Sequence, residues 1–478
     1  MAVDTILEIL VLVVGFYMAW NIGANDVSNA MGTSVGSGAL TLRRAVLVAA
    51  VLEFSGAFFL GSNVSETMQS GLIDPAVFAS EPLLLVLGMC AALCGTSLWL
   101  QIASYFGWPV STTHAIVGAI LGFGGIIGGF EAIQWRETGS IALSWIISPL
   151  LSALVSYLIF TVLQRNILYA MNPIGAAKKF IPLLAGIAVG TFTFSLIFNG
   201  LDRLDIHLSL VNACLVALLA GAVCFAIAYI LLKKFALPSS AEIRSPSRYL
   251  PQTVVSLDKA IKHLQRVHVA SFDNVHARLG NVLDEVRHLS KDLRKETSFE
   301  SRASEYNIVE KLFIPLQILS ACFVAFAHGT NDVANAIGPV AAVLDGIKNG
   351  AISQVTAVPS WLLAFGGLGI VIGLATWGWR VIETIGKKIT ELTPTRGFCA
   401  EFGAAITILI ASKLGLPIST THCLVGAVLG VGLARGLRAL NLGILREIAI
   451  SWIITIPASA TVSIAVFYLL KALLLNNA

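Results

Sequence analysis

Gly23-Ala24-Asn25-Asp26-Val27-Ser28-Asn29-Ala30-Met31-Gly32 recurs as Gly329-Thr330-Asn331-Asp332-Val333-Ala334-Asn335-Ala336-Ile337-Gly338, with seven of ten positions identical. A second pair follows at nearly the same offset: GWPVSTTHAIVGAILG at 107–122 and GLPISTTHCLVGAVLG at 415–430 agree at eleven of sixteen positions. The offsets are 306 and 308, so both motifs keep their order and spacing in each half, as a duplicated unit would.

The chain around these motifs has 478 residues, 56% of them hydrophobic and only 12% charged. Ordinary soluble domains carry roughly 25% charged residues, so the composition points to a membrane protein. Charge-poor stretches of about 20 residues recur, each long enough to cross a hydrocarbon core of roughly 30 Å as a helix. Twelve are counted, at 6–30, 43–62, 82–106, 110–130, 140–164, 180–199, 209–233, 312–343, 358–380, 397–413, 417–436 and 446–475. The expected fold is an all-α polytopic membrane protein with about twelve transmembrane or re-entrant segments in two inverted-topology repeats. Asp4 and Glu8 stand where a signal peptide would carry basic residues, so the first segment is expected to stay in the protein. All seven cysteines fall in apolar segments without disulfide or zinc spacing and read as small buried hydrophobes.

The net charge of +4 follows topology and gives no sign of a nucleic-acid partner. With the first terminus outside and every segment crossing, twelve Lys and Arg fall inside and five outside, leaving aside fourteen in 233–311. The twelve are Arg43, Arg44, Arg165, Lys178, Lys179, Arg380, Lys387, Lys388, Arg396, Arg435, Arg438 and Arg446; the five are Arg136, Arg203, Lys348, Lys413 and Lys471. By the positive-inside rule both termini are extracytoplasmic. The expected organisation is a first membrane half over 1–234, a cytoplasmic helical insert over 235–310 and a second membrane half over 311–478. Repeat 1 occupies about 6–164, two extra helices lie in 180–233, and repeat 2 fills the last part. The insert opens with Leu237-Pro238-Ser239-Ser240 and Ser245-Pro246-Ser247. Val275, Leu279, Val282, Leu283, Val286, Leu289 and Leu293 then recur at helical spacing, reading as a solvated helical hairpin.

Seven crossings separate the first motif copy from the second, an odd number, so the copies point in opposite directions. Inverted repeats whose broken helices meet near the midplane are a recurring design of secondary transporters and suggest alternating access. Asp26 and Asp332 lie inside apolar segments, where a carboxylate costs roughly 2.5–3.5 kcal/mol and calls for a partner, ion or cavity. Asn25 and Asn29, like Asn331 and Asn335, are four residues apart and share a helix face. Such clustered oxygens suit a hard cation such as sodium.

Pro-x-Ser-Thr-Thr-His reads as a turn into a helix N-terminus, with Pro109 or Pro417 compatible with the helix start and the serine capping it. Free N–H groups and the hydroxyls of Ser111, Thr112 and Thr113, or Ser419, Thr420 and Thr421, would then point at an anion. Residues 82–130 contain no Lys, Arg, Asp or Glu, so a re-entrant hairpin can keep its tip within the membrane. Lys413 near the second tip runs against this, or marks a cavity mouth. The two tips are expected to face each other. His114 and His422 read first as hydrogen-bonded structural groups. Glu53 and Glu401 are isolated acids, read as coupling or gating groups against the alternative of a buried structural pair. They do not align in the repeat: Glu401 faces Leu93, and Glu53 faces approximately Ala364. The duplicated motifs hold two Asp and no Lys or Arg, so an anion entering alone meets repulsion and must come with cations. That is the logic of symport, in which loading of one ligand favours the other.

GANDVSNAMGTSVGSGALTLRRA, GTNDVANAIGP and both Pro-x-Ser-Thr-Thr-His segments resemble the inorganic phosphate transporter (Pit) family. The resemblance spans nearly all of both membrane halves but not the insert. It implies sodium-coupled symport of inorganic phosphate at a plasma or inner membrane, by a protein usually dimeric, with no cofactor beyond co-transported sodium. It also implies that Asp26, Asn25, Asp332 and Asn331 are among the cation and substrate contacts, and that Ser111, Thr112, Thr113, Ser419, Thr420 and Thr421 hold phosphate. The segment 36–74 looks more like the sodium-coupled branch than the proton-coupled one, and Glu53 and Glu401 match acids typical of that branch. We therefore expect phosphate at Ser111, Thr112, Thr113, Ser419, Thr420, Thr421, Asn25 and Asn331, and sodium at Asp26, Asn29, Asp332 and Asn335. The alternatives are proton-coupled phosphate or metal-phosphate symport, and sulfate transport on the same scaffold. A hydrolase built on Ser111 or Ser419 with the nearby histidine lacks a third orienting group, and a channel or receptor predicts no concentrative uptake.

Overall fold

The computed structural model describes residues 2–108, 110–198, 208–234, 251–271, 273–296, 299–349, 357–379, 392–436 and 442–474. Pro109, the insert's first stretch from Leu237 to Ser247, and Arg203, Arg380, Lys387, Lys388 and Arg438 lie outside the described residues.

The helices run α1 Ala2–Gly36, α2 Leu42–Leu60, α3 Ser62–Ser70, α4 Pro82–Tyr105, α5 Thr112–Phe123, α6 Trp135–Leu163, α7 Pro173–Phe198 and α8 Leu210–Lys234. They continue as α9 Pro251–Val269, α10 Asp273–Glu296, α11 Phe299–Asn349, α12 Ser360–Thr376, α13 Pro394–Lys413, α14 Thr420–Arg435 and α15 Leu442–Leu474. Each of the twelve expected apolar segments contains a helix, but among the described residues only eight helices are long and apolar enough to cross a membrane. A ninth span is possible if α2 and α3, bent by 65° at Gly61, count as one. The remaining three, α5 with its extension to Gly128, α12 and α14, are shorter. At 1.5 Å per residue the twelve residues of α5 reach only about 18 Å, too short to cross alone. Length is what hydropathy alone does not fix.

The chain forms two compact units. One comprises Leu163–Leu183 and Ala226–Leu312. Within it α9 and α10 pair, Ser290 Oγ donating to Asp258 Oδ1 at 3.1 Å and the rings of His268 and His276 lying 3.8 Å apart. The apolar series on α10 divides: Leu283 is buried and Leu279, Val286 and Leu293 are half-buried, while Val275, Val282 and Leu289 are exposed. A single partner helix covers only one stripe of α10.

The other unit comprises Met1–Val162, Leu184–Phe225 and Phe313–Ala478 and holds both motif pairs. Its helices meet through glycines. A Cβ on Gly23 would strike the Ile370 carbonyl, and one on Gly373 the Trp20 carbonyl, so α1 and α12 touch backbone to backbone. The same exchange joins α2 and α11, Gly56 facing Phe326 and Gly329 facing Glu53. In a bilayer, where lipid tails are as apolar as leucine, such close approach supplies the packing energy that hydrophobic burial cannot. Because Gly23 corresponds to Gly329, these contacts pair Glu53 with Ile370, which corrects the approximate match to Ala364.

Two hairpins complete this unit. In each, a long arm ends at a glycine in the left-handed region, Gly107 at φ 67° and Gly415 at φ 66°, which lets the chain turn sharply back. The first hairpin, α4 and α5, packs on α15 through Gly95 against Ser463, Gly118 against Ile456 and Gly122 against Ala460. The second, α13 and α14, packs on α6 through Gly403 against Ser156, Gly426 against Pro149 and Gly430 against Ala153. Each copy's hairpin is thus cradled by the long helix of the other copy. Of the stretch of α8 apolar enough to span, only 11% is buried, against 72% for α4 and 83% for α13, so the hairpin arms are interior and α8 is largely exposed.

Candidate functional site

The Asn-Asp motifs lie on α1 and α11, which run unbroken through them. The backbone breaks are at the hairpin tips instead, where Ser111 Oγ and Ser419 Oγ each accept the N–H of the histidine three residues on, both at 3.2 Å. The expected N-caps are therefore present. The proline reading shifts: α14 begins at Thr420, so Pro417 precedes the helix, and its carbonyl accepts from Trp145 Nε1 at 3.1 Å. The serine oxygens accept from the backbone N–H groups of His114 and His422, and His114 Nδ1 and Nε2 and His422 Nε2 have no hydrogen-bond partner among the described residues.

The motif side chains cross between copies. Asn29 Nδ2 donates to Thr421 Oγ1 at 2.7 Å, and Asn335 Nδ2 donates to Thr113 Oγ1 at 3.1 Å. Within each copy Asn25 Nδ2 reaches Ser104 Oγ at 2.9 Å and Asn331 Nδ2 reaches Ser412 Oγ at 3.1 Å. Thr420 Oγ1 donates to Asp332 Oδ2 at 2.9 Å, and Thr113 Oγ1 to the Ile418 carbonyl at 2.9 Å. The tips meet directly, with the rings of His114 and His422 4.3 Å apart and each against a tryptophan, Trp145 at 3.9 Å and Trp452 at 3.4 Å. Ser111, Thr112, Thr113, Ser419, Thr420, Thr421, Asn25, Asp26, Asn29, Asn331, Asp332 and Asn335 are all buried, and side-chain hydrogen bonds between the copies join Asn29 to Thr421 and Asn335 to Thr113.

Sequence reasoning missed His328. It is fully buried, its Nε2 3.1 Å from Asp332 Oδ2 and its Nδ1 3.3 Å from Glu53 Oε1. Ligand atoms of Asp26, His328 and Asp332 all lie within 4.8 Å of one another. A histidine one residue ahead of the second motif, inside an apolar run, was the available signal; the first copy has Ile22 there. No Lys or Arg is among the buried described residues. Three carboxylates therefore share one imidazole in low dielectric, where each ion carries a penalty of several kcal/mol unless compensated. Asp26 Oδ2, Asp332 Oδ1, Asn331 Oδ1 and Asn335 Oδ1 are buried without a hydrogen-bond donor. This set of hard oxygens fits an alkali cation.

Glu401 stands apart. Its Oε1 accepts from Ser34 Oγ at 2.7 Å and from Thr33 Oγ1, and its Oε2 from Ser320 Oγ at 2.5 Å, with Gln317 Nε2 3.4 Å away. Glu53 and Glu401 thus do not form a buried pair with each other: one joins a histidine and the aspartates, the other a ring of hydroxyls.

The phosphate transporter family model matches residues 22–463. A protein described as a phosphate permease in Chlamydia pneumoniae is 44% identical over 98% of this chain and 99% of its own length. A chloroplastic inorganic phosphate transporter of Arabidopsis thaliana is 46% identical over 96% of this chain and 71% of its own. Among solved structures, one titled as the sodium-dependent phosphate transporter superposes with a TM-score of 0.78 at 36% identity, covering 97% of this chain and 99% of that one.

Proposed function

The chain belongs to the phosphate transporter family, a multi-pass membrane protein by its apolar helices, and from that premise we propose that it carries inorganic phosphate together with sodium by alternating access. The observation that carries this reading is the convergence of Asp26 and Asp332, one from each motif copy, in a buried site without lysine or arginine. Sodium ions on the unsatisfied oxygens of Asp26, Asp332 and the motif asparagines offset the carboxylates. Phosphate can then approach the hydroxyls of Thr112, Thr113, Thr420 and Thr421 and the capped helix starts at Ser111 and Ser419 without net repulsion. Each ligand makes the other's site habitable, so affinity for one rises with occupancy by the other.

Because the site is shared by two copies read as antiparallel, movement of each hairpin against its cradle helix can open it to one face and then the other. Glu53 and Glu401 fit as gating groups, since each ties helices of different elements through a buried carboxylate. The excess of Lys and Arg on one side supports termini outside and residues 235–310 in the cytoplasm. The similar solved structure is that of a sodium-dependent phosphate transporter, which supports sodium as the coupling ion.

Proton coupling is favoured by one observation, the buried His328 between Glu53 and Asp332, an arrangement suited to proton relay. Radiolabelled phosphate uptake into proteoliposomes decides between them. Accumulation driven by an inward sodium gradient at equal pH on both sides is expected. Accumulation driven only by a pH gradient sinks the sodium reading, and equal competition by unlabelled sulfate sinks the phosphate assignment.

A further inference from the structure

A cavity of about 310 Å³ lies between α7 and the long arm of the second hairpin, α13, and neither Asp26 nor Asp332 lines it. Its wall is aromatic: Phe192, Phe194 and Phe198 from α7, Phe323 from α11 and Phe402 from α13. Phe192 and Phe323 stack at 4.2 Å, which fixes the wall as a rigid surface. The polar groups along the lining are few, the hydroxyls of Thr191 and Ser195 and the ammonium of Lys413, the last set 5.0 Å from the centre of the Phe198 ring. An almost wholly apolar cavity does not hold the water a phosphate ion needs around it, so it is a poor conduit for the substrate. A hydrocarbon chain fits its walls.

The position is specific to one half. Counted by the hairpin offset, Phe402, Ile406, Ile410, Lys413 and Leu414 correspond to Cys94, Leu98, Ile102, Tyr105 and Phe106 on α4. The extra helix α7 lines the cavity together with α13, and of the two faces only that of α13 carries a cation. Lysine in an apolar wall keeps its stem on hydrocarbon and its ammonium at a polar partner. No carboxylate is among the described residues that line this cavity.

We propose that this cavity is a binding site for an anionic phospholipid, one acyl chain lying along the phenylalanine wall and the headgroup phosphate paired with Lys413. It goes beyond the transport reading and does not depend on which ion is coupled. The acyl chain supplies dispersion contacts with the rings, and the lysine supplies selection by charge.

The test is lipid retention by the purified full-length protein, delipidated and then equilibrated with mixed phosphatidylglycerol and phosphatidylcholine of matched chains, read by native mass spectrometry. Phosphatidylglycerol is expected to be enriched over phosphatidylcholine by about fivefold, the ratio for one lysine meeting one anionic headgroup. Lys413→Gln should bring the ratio to unity while the protein still holds both lipids, and Ile406→Trp, which fills the cavity, should remove the retained lipid of either kind. A ratio unchanged in Lys413→Gln, or lipid retention unchanged in Ile406→Trp, overturns the proposal. So does displacement of phosphatidylglycerol by millimolar inorganic phosphate, which would make Lys413 a site for the free ion instead.

Discussion

The crossing of α1 with α12 and the crossing of α2 with α11 are built alike and filled differently. Both use a reciprocal pair of glycines that bring backbone onto backbone, Gly23 and Gly373 in one, Gly56 and Gly329 in the other. At the corresponding side-chain positions the first crossing has Ile22 and Ile370, and the second has His328 and Glu53. All four are fully buried. Duplication preserved the spacing of the helices, where any added atom would collide, and left the adjoining positions free to diverge. The amides and hydroxyls that surround the site are symmetric. The charged pair that reaches it, Glu53 from the first half and His328 from the second, stands at one of the two crossings only.

The largest effect expected from this arrangement is at the carboxylates themselves. Asp26→Asn and Asp332→Asn should each reduce sodium-driven phosphate uptake by about 100-fold or more, since removing one partner from a buried charged cluster costs roughly 3–5 kcal/mol. If either variant keeps near-normal uptake in proteoliposomes, the two copies do not share one cation-dependent site. Next come the groups unique to the second crossing. Glu53→Gln and His328→Gln should each lower uptake about tenfold, and the double variant should fall little further, because contacting residues couple by about 0.5–3 kcal/mol. Additive losses measured across the four proteins would show that the histidine and the glutamate act independently, and the asymmetry would then carry no mechanism.

Much of this was legible in the sequence, and the parts that were not have physical reasons. The motif repeat revealed Asn25, Asp26 and Asn29 and their second copies because identical residues at a constant offset are visible without structure. The caps at Ser111 and Ser419 could be read because an N-cap is a local event. His328 escaped because it occurs in one copy and its partners are a turn away and on another helix. The two acids, Glu53 and Glu401, were found, but their surroundings were not. The hydroxyls and the amide around Glu401 come from α1 and α11, Thr33 and Ser34 from one and Gln317 and Ser320 from the other, which are far apart in the chain and unremarkable in composition. The match of Glu53 to Ala364 missed Ile370 by six residues, since no motif anchors α2 against α12 and only the glycine contacts reveal the register.

The smallest expected effect probes where the two copies differ by a single hydrogen bond. Asn25 Nδ2 donates to Ser104 Oγ, whereas Asn331 Nδ2 donates both to Ser412 Oγ and, at 3.2 Å, to the Leu416 carbonyl. Ser104→Ala therefore leaves its asparagine amide without that acceptor in a buried place, and Ser412→Ala leaves one acceptor still engaged. An unsatisfied buried donor costs about 1–3 kcal/mol, while loss of one bond of two costs nearer 1 kcal/mol. Thermal unfolding in detergent should accordingly show the larger drop in Tm for Ser104→Ala. Equal drops would mean that the Leu416 carbonyl does not hold Asn331, and that the two hairpin tips grip their motifs in the same way after all.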